Sequence, residues 1–126
     1  MNSTEQNQLI AEFMGAKMKS FVEGYAGTFY YLNGKRWVQP DSLKYHTSWD
    51  WLMPVVEKIE DCKVLDDFGF SVIIDNWQVN IRSCFSGQNV VFVSSGQSKI
   101  AVVHSAIIQF ITWYNSQPKT PNNGTD

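Results

Sequence analysis

The residues most suggestive of chemistry lie between positions 45 and 54, which read YHTSWDWLMP. His46 and Asp50 suggest a catalytic dyad, because a carboxylate can orient an imidazole and hold it ready as a general base. No nucleophile is tied to this pair by spacing. A small hydrolase that uses the pair together with a cysteine thiol is therefore the weakest of three functional hypotheses. The stronger interpretation is structural: the segment begins a helix.

Metal binding is the other chemistry that histidines and cysteines offer, and this chain has two of each: His46, Cys62, Cys84 and His104. Their spacing contains neither C-x-x-C nor H-x-x-x-H, so a zinc site would require all four to converge in space. The glycines match neither G-x-G-x-x-G nor a P-loop. We predict no metal, no cofactor and no enzymatic activity, and we expect His104 to be a hydrogen-bonded core residue.

The bulk properties of the chain limit the class of protein. Its 126 residues, 44% of them hydrophobic, suit one domain, and we assign 1–117 to it and 118–126 to a flexible tail. A formal net charge of -2 gives no global attraction to nucleic acid. The N-terminus has no basic and apolar signal pattern, and no apolar run is long enough to span a membrane. We therefore expect a cytoplasmic protein whose two thiols are free and buried.

The helix that begins in the YHTSWDWLMP segment needs a cap and an apolar stripe. Thr47 is the predicted N-cap, with Asp50 near the positive end of the helix dipole. Pro54 removes one backbone hydrogen bond, which predicts a bend or an irregular first turn before the helix ends near Asp61. Trp51 lies off the stripe and would cover a second layer or an oligomer interface. The predicted stripe is Trp49, Leu52, Met53, Val56 and Ile59.

An aromatic and basic hairpin is predicted over residues 28–39, because Asn33-Gly34 suits a type I′ turn. This turn would place Tyr31 opposite Arg36 and Tyr30 opposite Trp37. Such a hairpin could stack bases on its rings while its cations contact phosphates. Packing of the rings against the core is the favoured alternative. The binding residues of this hypothesis are Tyr30, Tyr31, Lys35, Arg36 and Trp37.

The remaining segments complete an α+β layout. We predict a first helix over 4–14, capped by Ser3 with Gln6 and stopped by Gly15, and irregular structure over 16–27. A three-stranded meander follows.

In this meander, a turn at Asp75-Asn76 places Ile74 opposite Trp77 on the apolar face, and a second turn at 86–89 places Phe92 on the same face. Ser98 caps a last helix whose wide apolar stripe runs to Tyr114. The predicted fold is an antiparallel sheet, made of the meander plus the hairpin, packed with about three helices as an α/β/α-like sandwich.

Three stretches of the chain carry a resemblance to a known family: LIAEFMGAK, YHTSWDWLMPVVEKIE and IAVVHSAIIQFITWYNSQ. They resemble small proteins of bacteriophages and prophages of gut bacteria, related to the phage ABA sandwich domain. The resemblance covers most of the chain and is weakest over 16–44. It implies an antiparallel sheet between helical layers, no assigned activity, no catalytic residues, and a location in the cytoplasm of a bacterial host.

Three hypotheses about function follow. The first is a non-enzymatic, phage-derived accessory protein that binds an unknown protein partner, with a homodimer plausible because the last helix carries excess apolar surface. The second is a nucleic-acid-binding module that uses the hairpin, and the third is the hydrolase. The capping interpretation also ranks two variants: Thr47→Ala should cost about 1 kcal/mol of stability, and His46→Ala should cost little.

Overall fold

The described residues form three helices and two antiparallel sheets, which confirms the predicted α+β class. A computed structural model describes residues 2–22, 25–32, 36–62, 69–84, 87–94 and 97–117. The elements are α1 (Ser3–Phe13), β1 (Lys17–Val22), β2 (Tyr25–Leu32), β3 (Arg36–Val38), a short 3-10 helix (Pro40–Ser42), α2 (Trp49–Asp61), β4 (Phe70–Asp75), β5 (Gln78–Ser83), β6 (Asn89–Ser94) and α3 (Lys99–Ser116). The first sheet has the strand order β1-β2-β3 and the second has the order β4-β5-β6.

The last helix lies at the centre of the core. Ser98 caps α3 as predicted, since its side chain accepts a hydrogen bond from the Ala101 backbone N–H. Helices α2 and α3 pack against the inner face of the second sheet, where Phe70, Val79 and Ile81 are buried. The apolar width of α3 is thus used within one copy of the chain. Its buried residues are Val102, Val103, His104, Ala106, Ile107, Ile108, Phe110 and Ile111.

Helix α1 begins one residue earlier than the sequence predicts. Asn2, not Ser3, is the N-cap, and its side chain and that of Glu5 form the reciprocal capping box. Gly15 ends the helix as expected, because its φ of +81° lies in the left-handed region that glycine adopts without strain.

The prediction of irregular structure over 16–27 is wrong. Strand β1 and the start of β2 occupy most of this segment, and the two strands pair with Lys17 opposite Tyr31 and Lys19 opposite Phe29. It is an edge strand that carries lysines, as edge strands often do to avoid pairing with other chains. The apolar alternation that marks a half-buried strand is therefore weak here.

The pairing of β2 with β3 is antiparallel as predicted, but its register differs by one residue. Tyr30 pairs with Val38 and Tyr31 pairs with Trp37. A shift of one residue moves a side chain to the opposite face of a sheet. Tyr30 and Trp37, predicted to face each other, therefore lie on opposite faces. The predicted Asn33-Gly34 turn lies outside the described residues.

The β4–β5 pairing also differs from the prediction, but by two residues, so its faces are unchanged. Ile74 pairs with Val79, and the turn is Asn76-Trp77 instead of Asp75-Asn76. Asn76 has a φ of +49°, which asparagine tolerates better than most residues. Trp77, predicted on the apolar face, lies in the turn and is 49% exposed.

The side chains of β6 point to the opposite faces of the sheet from those predicted. Val91 pairs with Ile81 and is buried, whereas Phe92 pairs with Asn80 on the outer face and is 54% exposed. A register irregularity between Ile81 and Arg82 accompanies this pairing. The prediction of Phe92 on the apolar face is wrong, because an odd shift in register inverts every side chain of the strand.

Helix α2 uses a different stripe from the predicted one and runs through Pro54 to the predicted end at Asp61. Trp49 and Met53 are exposed, at 39% and 38%, while Val55 is fully buried. The buried stripe is Leu52, Val55, Val56 and Ile59. Trp51 is half-buried and packs edge-on against Tyr45, with 5.2 Å between ring centroids.

Candidate functional site

A buried polar cluster joins three distant parts of the chain: Asn7 on α1, His46 before α2, and His104 on α3. Asn7 is 1% exposed and His104 is 6% exposed. The Asn7 Nδ2 lies 3.0 Å from the Leu43 carbonyl oxygen and 2.8 Å from His46 Nδ1. The Asn7 Oδ1 lies 3.0 Å from His104 Nε2. One amide side chain therefore makes three hydrogen bonds.

The chemistry of these partners assigns every proton in the cluster. A backbone carbonyl only accepts, so the Asn7 atom facing Leu43 must be the nitrogen. This nitrogen also faces His46 Nδ1, which must then be an unprotonated acceptor, leaving the proton of the neutral ring on Nε2. The Asn7 oxygen can only accept, so His104 Nε2 donates.

Burial keeps His104 neutral. Loss of hydration disfavours the charged imidazolium, and the nearby His46 adds to the effect, so the pKa of His104 falls from 6.5 to about 4. The two rings lie 6.1 Å apart, centroid to centroid. His104 is a hydrogen-bonded core residue, as the sequence predicts.

The cluster lacks the features of a catalytic dyad. Asp50 is exposed, and no hydrogen bond joins it to His46 in the described part of the chain. His46 Nδ1 instead accepts a hydrogen bond from Asn7, a partner 39 residues away in sequence. Sequence analysis missed Asn7, since a single asparagine on the polar-to-apolar boundary of a helix gives no signal. The YHTSWDWLMP segment contains the start of α2, and its His46 is hydrogen-bonded to Asn7 of α1.

The thiols do not extend this cluster. Neither cysteine forms a disulfide, but Cys62 is buried and Cys84 is exposed, so the prediction of burial holds for Cys62 and is wrong for Cys84. Among the residues that the structure describes, no group of three His, Cys, Asp or Glu side chains could hold a metal ion.

The second candidate site is the outer face of the first sheet. Lys17, Tyr31 and Trp37 stand in one row across its three strands. The Tyr31 and Trp37 rings are half-buried and in contact, with centroids 4.8 Å apart. Lys19 lies on the same face as Lys17, and its Nζ stands 5.3 Å from the centroid of the Trp37 ring. We call these four residues the Lys/aromatic face.

The predicted binding residues are divided by the register of this sheet. Tyr30 is buried at 2% exposure on the inner face. Burial raises the pKa of the Tyr30 hydroxyl. The negative charge of Glu12 and its hydrogen bond with Tyr30 raise this pKa further. Tyr31 and Trp37 lie together on the outer face. Lys35 and the Arg36 side chain lie outside the described part of the structure.

Two cations of the Lys/aromatic face were missed by sequence analysis. Lys17 and Lys19 are exposed, and both belong to the segment predicted to be irregular. Their i, i+2 spacing is the signal that could have placed them on one face of a strand. The face thus has its described cations on β1 and its described rings on β2 and β3.

Comparison with protein-family models, with curated protein sequences and with solved structures finds no match for this chain. In the described ranges, no helix has both the length and the apolar character needed to cross a membrane.

The structure reverses the expected ranking of two variants. Ser48, not Thr47, is the N-cap of α2, and even Ser48 makes no side-chain capping bond. Thr47 is exposed, so Thr47→Ala should change the free energy of unfolding by less than about 0.5 kcal/mol. His46→Ala leaves one Asn7 donor without its acceptor and should cost roughly 1–2 kcal/mol. Urea unfolding of both variants checks this, and a larger loss for Thr47→Ala would contradict the assigned cap.

The low pKa of His104 makes a prediction about acid stability. Between pH 6.5 and about 4 the unfolded chain holds a proton on His104 that the folded protein does not, so stability falls as the pH falls through this window. The loss is at most about 3 kcal/mol. His104→Gln retains an amide donor but does not titrate, so urea unfolding from pH 7 to 4 should give a shallower decline. Equal declines for the two proteins would contradict the assignment.

Proposed function

We propose that this protein is a non-enzymatic accessory protein of phage or prophage origin that acts by binding another macromolecule. The origin rests on the resemblance of its three sequence stretches to phage-encoded proteins. The absence of enzymatic activity is supported by the way the histidines are used: both contact Asn7, and His104 is too deeply buried and too weakly basic to act on a ligand at neutral pH.

The ligand that the Lys/aromatic face fits best is a single-stranded nucleic acid. The observation that carries this proposal is the placement of two exposed lysines beside a contacting tyrosine and tryptophan on one face. Single-strand binders combine cations that follow the phosphates with rings on which bases stack. A duplex would fit less well, because its bases are already stacked on each other.

The contact between Lys19 and Trp37 suggests how binding would proceed. An exposed cation–π contact contributes about 0.5–1 kcal/mol, whereas a base stacked on an aromatic ring contributes about 1–3 kcal/mol. A base can therefore displace the Lys19 ammonium from the ring. The released ammonium is then free to pair with a neighbouring phosphate, so one exchange satisfies both parts of the nucleotide.

The overall charge of the protein does not favour nucleic-acid binding, so the cations of the Lys/aromatic face must provide the attraction. With a formal net charge of -2, the chain as a whole repels nucleic acid weakly. Attraction must come from a local group of cations, and the exposed pair on β1 supplies one. A protein partner that uses the same rings is the competing possibility, and the experiment below distinguishes the two.

Fluorescence anisotropy with a labelled single-stranded oligothymidylate tests the proposal. Lys17→Glu/Lys19→Glu should lower the affinity by about tenfold or more, and Trp37→Ala should lower it by about tenfold. The matched control is Lys44→Glu/Lys99→Glu, which makes the same change in net charge at two exposed lysines outside the first sheet. It should change the affinity by less than about threefold.

Salt dependence gives a second measurement in the same assay. Two lysine–phosphate contacts to a single strand predict that the logarithm of affinity falls with the logarithm of salt concentration with a slope of roughly -1.4. The lysine double variant should lose most of this slope. Failure of the wild-type protein to bind the oligonucleotide, or an equal loss in the two double variants, would show that the Lys/aromatic face is not a nucleic-acid site and leave a protein as its ligand.

A further inference from the structure

We infer that the outer face of the second sheet is the interface of a symmetric homodimer. This inference is independent of the ligand proposed for the first sheet. The outer face is the side of β4–β6 opposite α2 and α3, and no described element packs on it. It nevertheless carries two large apolar side chains, Ile73 and Phe92, which are 37% and 54% exposed.

The pairing of the strands arranges this face in three rows. The central row is Ile73, Asn80 and Phe92, one residue from each strand. The row on one side holds Asp75, Gln78 and Ser94, and the row on the other side holds Ser71, Arg82 and Asn89. Asp75 and Arg82 are both exposed. An apolar centre thus lies between one acidic end and one basic end.

This arrangement is complementary to a second copy of itself. A two-fold axis that runs along the central row, across the strands, reverses the strand direction of the second copy. The row containing Asp75 then meets the row containing Arg82, twice, while Ile73 and Phe92 meet their own counterparts. Each arginine lies one strand spacing, about 4.8 Å, to the side of a carboxylate of the other copy. Sheets that pack face to face lie about 10 Å apart. The long side chain of Arg82 and the short side chain of Asp75 together span this distance.

The central asparagine adds a further reason for self-association. Asn80 Oδ1 is buried without a hydrogen-bond partner in the described structure, which is costly for a polar atom. Asn80 lies on the proposed axis, so a rotation of its amide would let the two copies exchange hydrogen bonds there. An unrelated protein would not meet these three rows with the same two-fold symmetry.

The interface differs from the one that the sequence suggests. The wide apolar stripe of α3 predicts a dimer through that helix, but its apolar residues are buried within the chain. The sheet face is small for a protein interface, so we expect dissociation constants on the order of micromolar. Dimerisation should therefore depend on concentration in the range that sedimentation can cover.

Sedimentation equilibrium over a series of micromolar concentrations tests the inference through a charge exchange. Arg82→Asp places carboxylates opposite each other and should weaken the dimer by about tenfold or more. Asp75→Arg/Arg82→Asp restores opposite charges across the same axis and should recover most of the wild-type affinity. Phe92→Ser should also weaken the dimer, while Met53→Ser, at an exposed apolar residue of α2, should not.

Circular dichroism checks that each variant folds. We expect all of them to fold, because every substituted side chain is exposed. A wild-type protein that stays monomeric throughout the series would overturn the inference. So would a dimer that Arg82→Asp leaves unchanged, or one that the charge exchange fails to restore.

Discussion

The hydrogen bonds of one buried side chain, Asn7, determine how the three helices meet. Its amide contacts the segment before α2 through Leu43 and His46, and it contacts α3 through His104. Loss of any partner would leave a buried polar atom unsatisfied, which costs more than an exposed hydrogen bond contributes. The cluster therefore selects one arrangement of α1, α2 and α3 from the many that apolar packing alone would tolerate.

Aromatic packing extends the same junction. Phe13 of α1 lies edge-on to Phe110 and Tyr114 of α3, and Phe70 of β4 lies 5.0 Å from Phe110. These contacts place α3 between α1 and the second sheet. Because the inner surfaces of the helices and sheets are used in this way, both interactions that we propose fall on the outer faces of the sheets. One carries cations beside rings, and the other carries the row of Ile73, Asn80 and Phe92.

Sequence patterns predicted the parts of the fold that depend on local order. The Ser98 cap and the long stripe of α3 are signals within one helix, and both are confirmed. The predictions that failed concern how elements pair with each other. The registers of the strands that carry Tyr31 and Phe92 depend on turn geometry and on a strand irregularity. β1 lacks apolar alternation, and Asn7 finds partners 36, 39 and 97 residues away. No pattern in a single sequence encodes such distances.

The protonation of the two imidazoles tests the central role of Asn7 most directly. Long-range nitrogen–proton NMR spectra of the folded protein at neutral pH distinguish a protonated ring nitrogen from a bare one. We predict that His46 is bare at Nδ1 and protonated at Nε2, and that His104 is protonated at Nε2, with one slowly exchanging proton on the latter. A proton on His46 Nδ1, or rapid averaging between both tautomers of His104, would contradict the network.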